Sequence, residues 1–346
     1  MTKKFICAVL FLALAACCLT PASLADEKEI NVVATIFPIY DWVREIVGEN
    51  ENVRITLLLD SGVDLHSYQP TAEDIMKIST CDVFIYVGGE SDDWVEDVLH
   101  GRSDSGMTVI NLLEAMGDEV KTEEIVEGME HEHEDHGEDD HDEPGEDHDA
   151  DEDHDEDEDH DHEHEHEDEA DEHVWLSLRN AQKLVKVIAS CLSEADPARA
   201  DSYRANASDY VQRLSALDRE YEKAVSEAAF HTVLFGDRFP FRYMTDDYGL
   251  NYYAAFSGCS AETEASFQTV VFLAQKTDEL GLKAVFTIEG TNHRIAETIV
   301  AATAAKDQNI LAMNSMQGCT MRDVQAGITY LSIMRNNLEV LKQALN

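Results

Sequence analysis

The chain has 346 residues, of which 72 are Asp or Glu and 25 are Lys or Arg, for a formal net charge of -47. That balance excludes charge-driven binding to nucleic acid or to an anionic membrane and favours a cationic ligand. A hydrophobic content of 44% supports genuine cores, and the length allows two domains of ordinary size even with the most acidic stretch set aside.

The first residues, MTKKFICAVLFLALAACCLT, place Lys3 and Lys4 before an apolar run of secretory length, too short for a permanent membrane span. They read as an export signal with two competing cleavage sites. Leu14-Ala15-Ala16-Cys17 resembles the bacterial lipobox, which makes residues 1–16 the signal peptide and Cys17 a lipid-bearing first residue that anchors the protein to the cell membrane. An ordinary signal peptidase would instead cut after Ser23-Leu24-Ala25. The position of Cys17 directly behind the apolar run favours the lipid. Of seven Cys, four fall in the folded part: Cys81, Cys191, Cys259 and Cys319. None forms a C-x-x-C pair, which argues against thiolate zinc fingers and thioredoxin chemistry. Cys259 and Cys319, each beside a Gly in loop-like sequence (SGCS and QGCT), are the candidate disulfide for an oxidising compartment.

Residues 26–200 read as a first α/β lobe. EINVVATI is a β-branched strand, Phe37-Pro38 breaks it, and the amphipathic IYDWVREIVG is a helix ending on Gly48. VRITLLL and CDVFIYV are nearly continuous apolar runs, as expected of parallel strands covered on both faces, and TVIN is a short fourth. Between the second and third strands, a Gly- and Asp-rich loop carrying His66 enters a helix near Thr71, with Thr71 and Asp74 spaced as in a capping box.

Residues 129–172 form the strongest compositional feature, running from MEHEHEDHGEDD to HDHEHEHEDEADE without a single Lys or Arg and ending at His173. Such a stretch has too few apolar side chains to offset its ordering entropy and reads as a solvated loop. Closely spaced His among carboxylates (His160, His162, His164, His166) is a donor mixture suited to borderline divalent ions such as zinc. A plain solvating linker has no need of so many imidazoles.

Beyond it, NAQKLVKVIASC has helical apolar spacing, and the Gly- and Pro-free segment at 201–229 repeats Tyr203, Tyr210, Leu214, Leu217 and Tyr221 along one face. This predicts one long rigid helix joining the lobes. Residues 230–346 repeat the α/β pattern: HTVLFG, LNYYAAF, KAVFTIEG and ILAMN as strands, with helices between them and a closing helix over 323–344. The expected fold is α/β with two lobes, each a mostly parallel sheet flanked by helices, and the natural ligand site is the cleft between them.

Two strings carry a family resemblance. GVDLHSYQPTAEDI around His66 and DEHVWLSLRNA around His173 are similar to the paired signatures of the metal-binding receptors of ABC transporters, the cluster A-I or zinc-uptake (ZnuA-like) family. These read roughly G-x-D-x-H-x-Y-x-P-x-x-x-D and D-x-H-x-W-x-x-x-x-N-A. The resemblance implies a receptor that captures zinc between its lobes and passes it to an ABC permease and its ATPase, with His66 and His173 as ligands. Manganese is the runner-up metal, and a surface metal buffer is the alternative from another class. In the family a second-lobe His or Glu completes the site, often with a late Asp. Here the aligned segment GDRFPFRYMTDDYGL offers Asp237, and LAMNSMQG offers the weaker donor Asn314. Asp237 is therefore the expected third ligand, and Glu289 in FTIEG a further ligand or an orienting group. His231 falls within a strand and is set aside. No G-x-S-x-G, H-E-x-x-H or phosphate-cradling loop is present, so no enzyme is expected, and nothing points beyond a monomer.

Overall fold

The computed structural model describes residues 29–100, 106–129, 169–260, 264–290 and 292–346. The expected export signal with Cys17 and most of the His-rich stretch lie outside these residues. In the first lobe β1 (Ile30–Ala34), β2 (Val53–Leu57), β3 (Val83–Tyr86) and β4 (Thr108–Asn111) form a parallel sheet of order β2-β1-β3-β4. The central β1 and β3 are apolar along most of their length because helices cover both faces. α1 (Phe37–Val47) starts with Pro38 in its first turn, where the missing N–H costs nothing, and buries Ile39, Trp42, Val43 and Ile46. Gly48 ends it at φ 62°, a conformation few other residues adopt cheaply. The Thr71–Asp74 capping box forms as expected at the start of α2 (Ala72–Thr80). α3 (Trp94–His100) and α4 (Leu112–Met116) complete the lobe before the His-rich stretch.

After that stretch come α5 (Leu178–Ala195) and the long α6 (Ala200–Ser226). Its 27 residues rise about 40 Å. Buried Tyr203, Ala207, Tyr210, Leu214, Leu217, Tyr221 and Val225 follow the three-and-four spacing of one helical stripe. The stripe is fixed to both lobes: Asn206 Nδ2 donates to Ile46 O at 2.9 Å, and Tyr221 OH donates to Met334 O at 2.5 Å.

The second lobe repeats the winding: β5 (Thr232–Arg238), β6 (Asn251–Phe256), β7 (Ala284–Ile288) and β8 (Asn309–Met313) are parallel in the order β6-β5-β7-β8. α7 (Arg242–Tyr248), α8 (Phe267–Leu280) and α9 (Arg294–Ala302) cross between them. The closing helix divides into α10 (Met321–Gln325) and α11 (Tyr330–Leu345), because Gly327 takes φ 92° and Thr329 with Ser332 starts a fresh capping box. One apolar core runs through both lobes, with Trp42 edge-on to Tyr330 at 5.3 Å. Its polar seams are paired: Trp175 Nε1 donates to Ser315 O at 2.9 Å, Tyr330 OH to Trp175 O at 2.7 Å, and Tyr330 N to Asp41 Oδ2 at 2.8 Å.

Candidate metal centre

The strand-end loops of the two sheets meet between the lobes, where ligand sites of parallel sheets belong. His66 lies in a one-turn 3-10 segment, Leu65–Ser67, after β2, and Asp64 caps that turn by accepting from His66 N at 3.0 Å. Asp64 is held in turn by Arg238 from the second lobe at 2.6 Å. Burial raises the Asp64 pKa, but the Arg238 and His66 charges outweigh it and keep the carboxyl below its usual range.

His173 is fully buried at the re-entry from the His-rich stretch. Asp171 Oδ1 accepts from its backbone N and from ring Nδ1, both at 2.9 Å. A carboxylate only accepts, so Nδ1 carries the hydrogen and Nε2 of the neutral ring presents its lone pair. His66 Nδ1 is likewise engaged, 2.7 Å from Ser91 Oγ and 3.5 Å from Glu172 Oε2. Glu172 is itself seated by Ser91 N at 2.9 Å and fits because Gly89 has no side chain, a Cβ there falling 2.4 Å from Glu172 Oε1. Burial pushes the Glu172 pKa up to about 7.

With their Nδ1 atoms turned outward, the two Nε2 atoms face each other at 3.2 Å. Burial and the neighbouring His173 push the His66 pKa down to about 3. For His173 burial acts in the same direction, but the hydrogen bond and charge of Asp171 prevail and raise it. The pair therefore does not hold two protons together, and a dication suits it better than a second proton.

Among the described residues, the His, Cys, Asp and Glu side chains that converge as a metal-holding group are His66, His173 and Cys259, whose donor atoms lie within 4.8 Å of one another. Cys259 follows β6, and its backbone N donates to Glu123 Oε1 at 2.9 Å. Gly258 lets this loop approach, since a Cβ there would sit 3.0 Å from His173 Cε1. Gln317, after β8, brings Nε2 to 2.8 Å from His173 Nε2 and 3.3 Å from His66 Nε2. Tetrahedral zinc with nitrogen ligands near 2.0–2.1 Å separates them by about 3.3 Å, which the imidazole pair fits.

Asp237 and Glu289, the expected second-lobe donors, do not join this group. Asp237 lies inside β5, which runs two residues past HTVLFG, and its two oxygens accept from Arg238 N at 2.9 Å and Ile288 N at 3.2 Å. The β5–β6 register shifts between Phe235 and Arg238, and within that stretch the side chain bonds the backbone of β7. Glu289 accepts from Ser315 N at 2.6 Å and Ser315 Oγ at 2.8 Å. It thereby builds the loop that presents Gln317, in which buried Met316 takes φ 67° and is tied by Asn314 Oδ1 at 2.8 Å. Asn314 caps that turn rather than facing the histidines. The expected Cys259–Cys319 bridge does not form: none of the four described cysteines is in a disulfide, and Cys259 lies at the histidine pair with Cys319 near Glu289 and Asp323. Gln317 and Cys259 are the site neighbours that sequence reasoning did not assign, although both sit in loops directly after parallel strands, the position that marks ligand loops.

Two wound lobes with convergent imidazoles between them are a bilobal α/β scaffold carrying a candidate metal centre in its cleft. The chain belongs to the ZnuA family, the zinc-uptake complex component A, periplasmic, whose sequence pattern it matches over residues 32–344. It is 29% identical over 322 residues to the zinc-binding protein AdcA of Streptococcus pyogenes serotype M3, covering 91% of this chain and 56% of that one. The zinc-binding lipoprotein AdcA of Streptococcus pneumoniae serotype 4 is 28% identical over 319 residues, 92% of this chain and 56% of its own. The chain thus spans about half the length of these relatives. It is 29% identical over 345 residues to the high-affinity zinc uptake system protein ZnuA of Bacillus subtilis strain 168, covering 99% and 96%. Among solved structures it resembles the Zn(II)-bound ZnuA-like domain of S. pneumoniae AdcA, with TM-score 0.66 and 25% identity over 92% of this chain and 99% of that one.

Proposed function

We propose that the protein captures zinc outside the cytoplasm and hands it to an ABC permease and its ATPase, the ion being held between the lobes by His66 Nε2 and His173 Nε2. The observation that carries this reading is the approach of the two Nε2 atoms to 3.2 Å, with each Nδ1 engaged by a partner of its own. Imidazole donors suit zinc, whereas manganese calls for a harder, oxygen-rich set. The relatives named for zinc agree. An anchor on Cys17 keeps the receptor beside its permease, in line with the relative named a lipoprotein, and no helix among the described residues is long and apolar enough to cross a membrane. Capture and delivery leave the ion chemically unchanged, and the family is one of uptake components.

A surface buffer would hold its metal in the His-rich stretch instead. The flanks of that stretch lie side by side, Thr122 bridging Ala170 and Glu123 N donating to Glu169 O at 2.7 Å, so residues 130–168 can be replaced by a short linker. Competition titration against a chromophoric chelator should find one tight zinc equivalent in that variant, lost on adding His66→Ala. Disappearance of all tight binding with the deletion alone would establish the buffer.

A further inference from the structure

We infer that the second lobe's zinc ligand is the Cys259 thiolate, which makes the site a two-imidazole, one-thiolate centre. The inference rests on the zinc reading above and deepens it.

Both histidines come from the first lobe, so a site that senses the second lobe needs a donor from there. Four side chains of that lobe approach or were expected at the centre. Asp237 uses both oxygens on backbone amides of β5 and β7. Glu289 uses both on Ser315. Either would have to abandon buried amide donors, each worth about 1–3 kcal/mol when left unpaired. Gln317 reaches the histidines, but a neutral amide is a weak zinc ligand beside thiolate or imidazole. Cys259 alone among them puts an ionisable soft donor within 4.8 Å of both ring nitrogens. Its loop is built for that place: Glu123 holds its backbone N at 2.9 Å, and Gly258 clears the space against the His173 ring. It is also a free thiol in a protein that carries an export signal, where an unused cysteine pair would be open to oxidation.

Forming the zinc–sulfur bond replaces the thiol hydrogen, and one proton leaves to solvent for each zinc held. Zn²⁺ undergoes no redox change. A ligand set of two nitrogens and one sulfur favours borderline and soft divalent ions, zinc, cobalt and cadmium, and disfavours manganese more strongly than an all-histidine or carboxylate site. It leaves a fourth position on the side of Gln317 for water or the amide oxygen.

Cobalt(II) titrated into the full-length protein reads this directly, because thiolate coordination gives an intense near-ultraviolet charge-transfer band that nitrogen and oxygen ligands do not. Residues 129–173 contain no Cys, so cobalt bound there is silent in that band. The band is expected in the wild type and in Cys191→Ser and absent in Cys259→Ser. Zinc affinity of the tight site should fall in Cys259→Ser by more than the ~10–100-fold that loss of an outer-shell partner costs. Should that variant fold poorly, alkylation of the wild type followed by peptide mapping answers the same question: zinc should protect Cys259 and leave Cys191 reactive. A wild type that binds one tight zinc with no charge-transfer band, or whose Cys259 is alkylated equally with and without zinc, overturns the thiolate while leaving the zinc reading intact. Undiminished zinc binding in His66→Ala overturns the reading beneath it.

Discussion

Asp171 shows how much of the centre is decided by single side chains. It does two tasks at once, ordering the turn through His173 N and fixing the ring through Nδ1, both at 2.9 Å. Asp171→Ala should therefore lower zinc affinity by about 10–100-fold, as removal of an orienting carboxylate from a ligating imidazole does. Competition titration reads the loss, with the circular dichroism melt showing the lobes still folded; unchanged affinity would mean that the His173 ring is held by packing against Trp175 alone, 5.2 Å away. His66 and His173 were legible in the sequence because each sits in a long, distinctive string. Cys259 was visible only as half of a disulfide, since its neighbours in the chain, Gly258 and Ser260, carry no sign of the histidines. Proximity across the lobes is a property of the winding, and no local pattern encodes it.

At the scale of elements, the same limit explains Asp237. Read locally, GDRFPF is a loop after the strand HTVLFG, but the pairing with β6 carries β5 on to Arg238 through a register shift. The carboxylate then becomes part of the sheet. Asp237→Ala should cost about 2 kcal/mol of stability by removing a buried acceptor shared by the Arg238 and Ile288 amides, and should leave one tight zinc equivalent in place. Urea denaturation and zinc titration on the same variant separate the two; lost binding with unchanged stability would return Asp237 to the ligand set. By contrast α6 was legible to within three residues at either end, because a 27-residue helix writes its buried stripe into the sequence at regular spacing. The closing helix was not, although Gly327 marks its break, because apolar spacing continues on both sides of the glycine.

For the molecule as a whole, the join between lobes is a buried surface crossed by charges. Asp41 on α1 is fully buried, accepts Tyr330 N at the start of α11 and meets Arg44 at 2.5 Å. Burial raises its pKa from an ordinary 3.8 to about 6 despite the Arg44 charge and the Tyr330 amide. The folded state thus holds a proton that the unfolded chain has released, so Asp41 favours folding at acid pH. That advantage disappears as pH rises from about 4 through 6, by about 3 kcal/mol for the difference between 3.8 and 6. Below 3.8 both states are protonated and nothing more is gained. Asn at this position still accepts the Tyr330 amide but does not ionise. The stability of Asp41→Asn relative to wild type should therefore grow by about 2–3 kcal/mol between pH 4 and 7.5 in urea denaturation. A constant difference across that range would show that Arg44 already compensates the buried charge.

The two sheets are wound in the same order, β2-β1-β3-β4 and β6-β5-β7-β8, which makes β2 and β6 counterparts at equivalent edges. His66 follows the first and Cys259 the second, so the two side chains occupy topologically equivalent positions, one in each lobe. Each position lies in a loop beyond the end of its strand, so either side chain can be exchanged without altering the winding of the lobe that carries it.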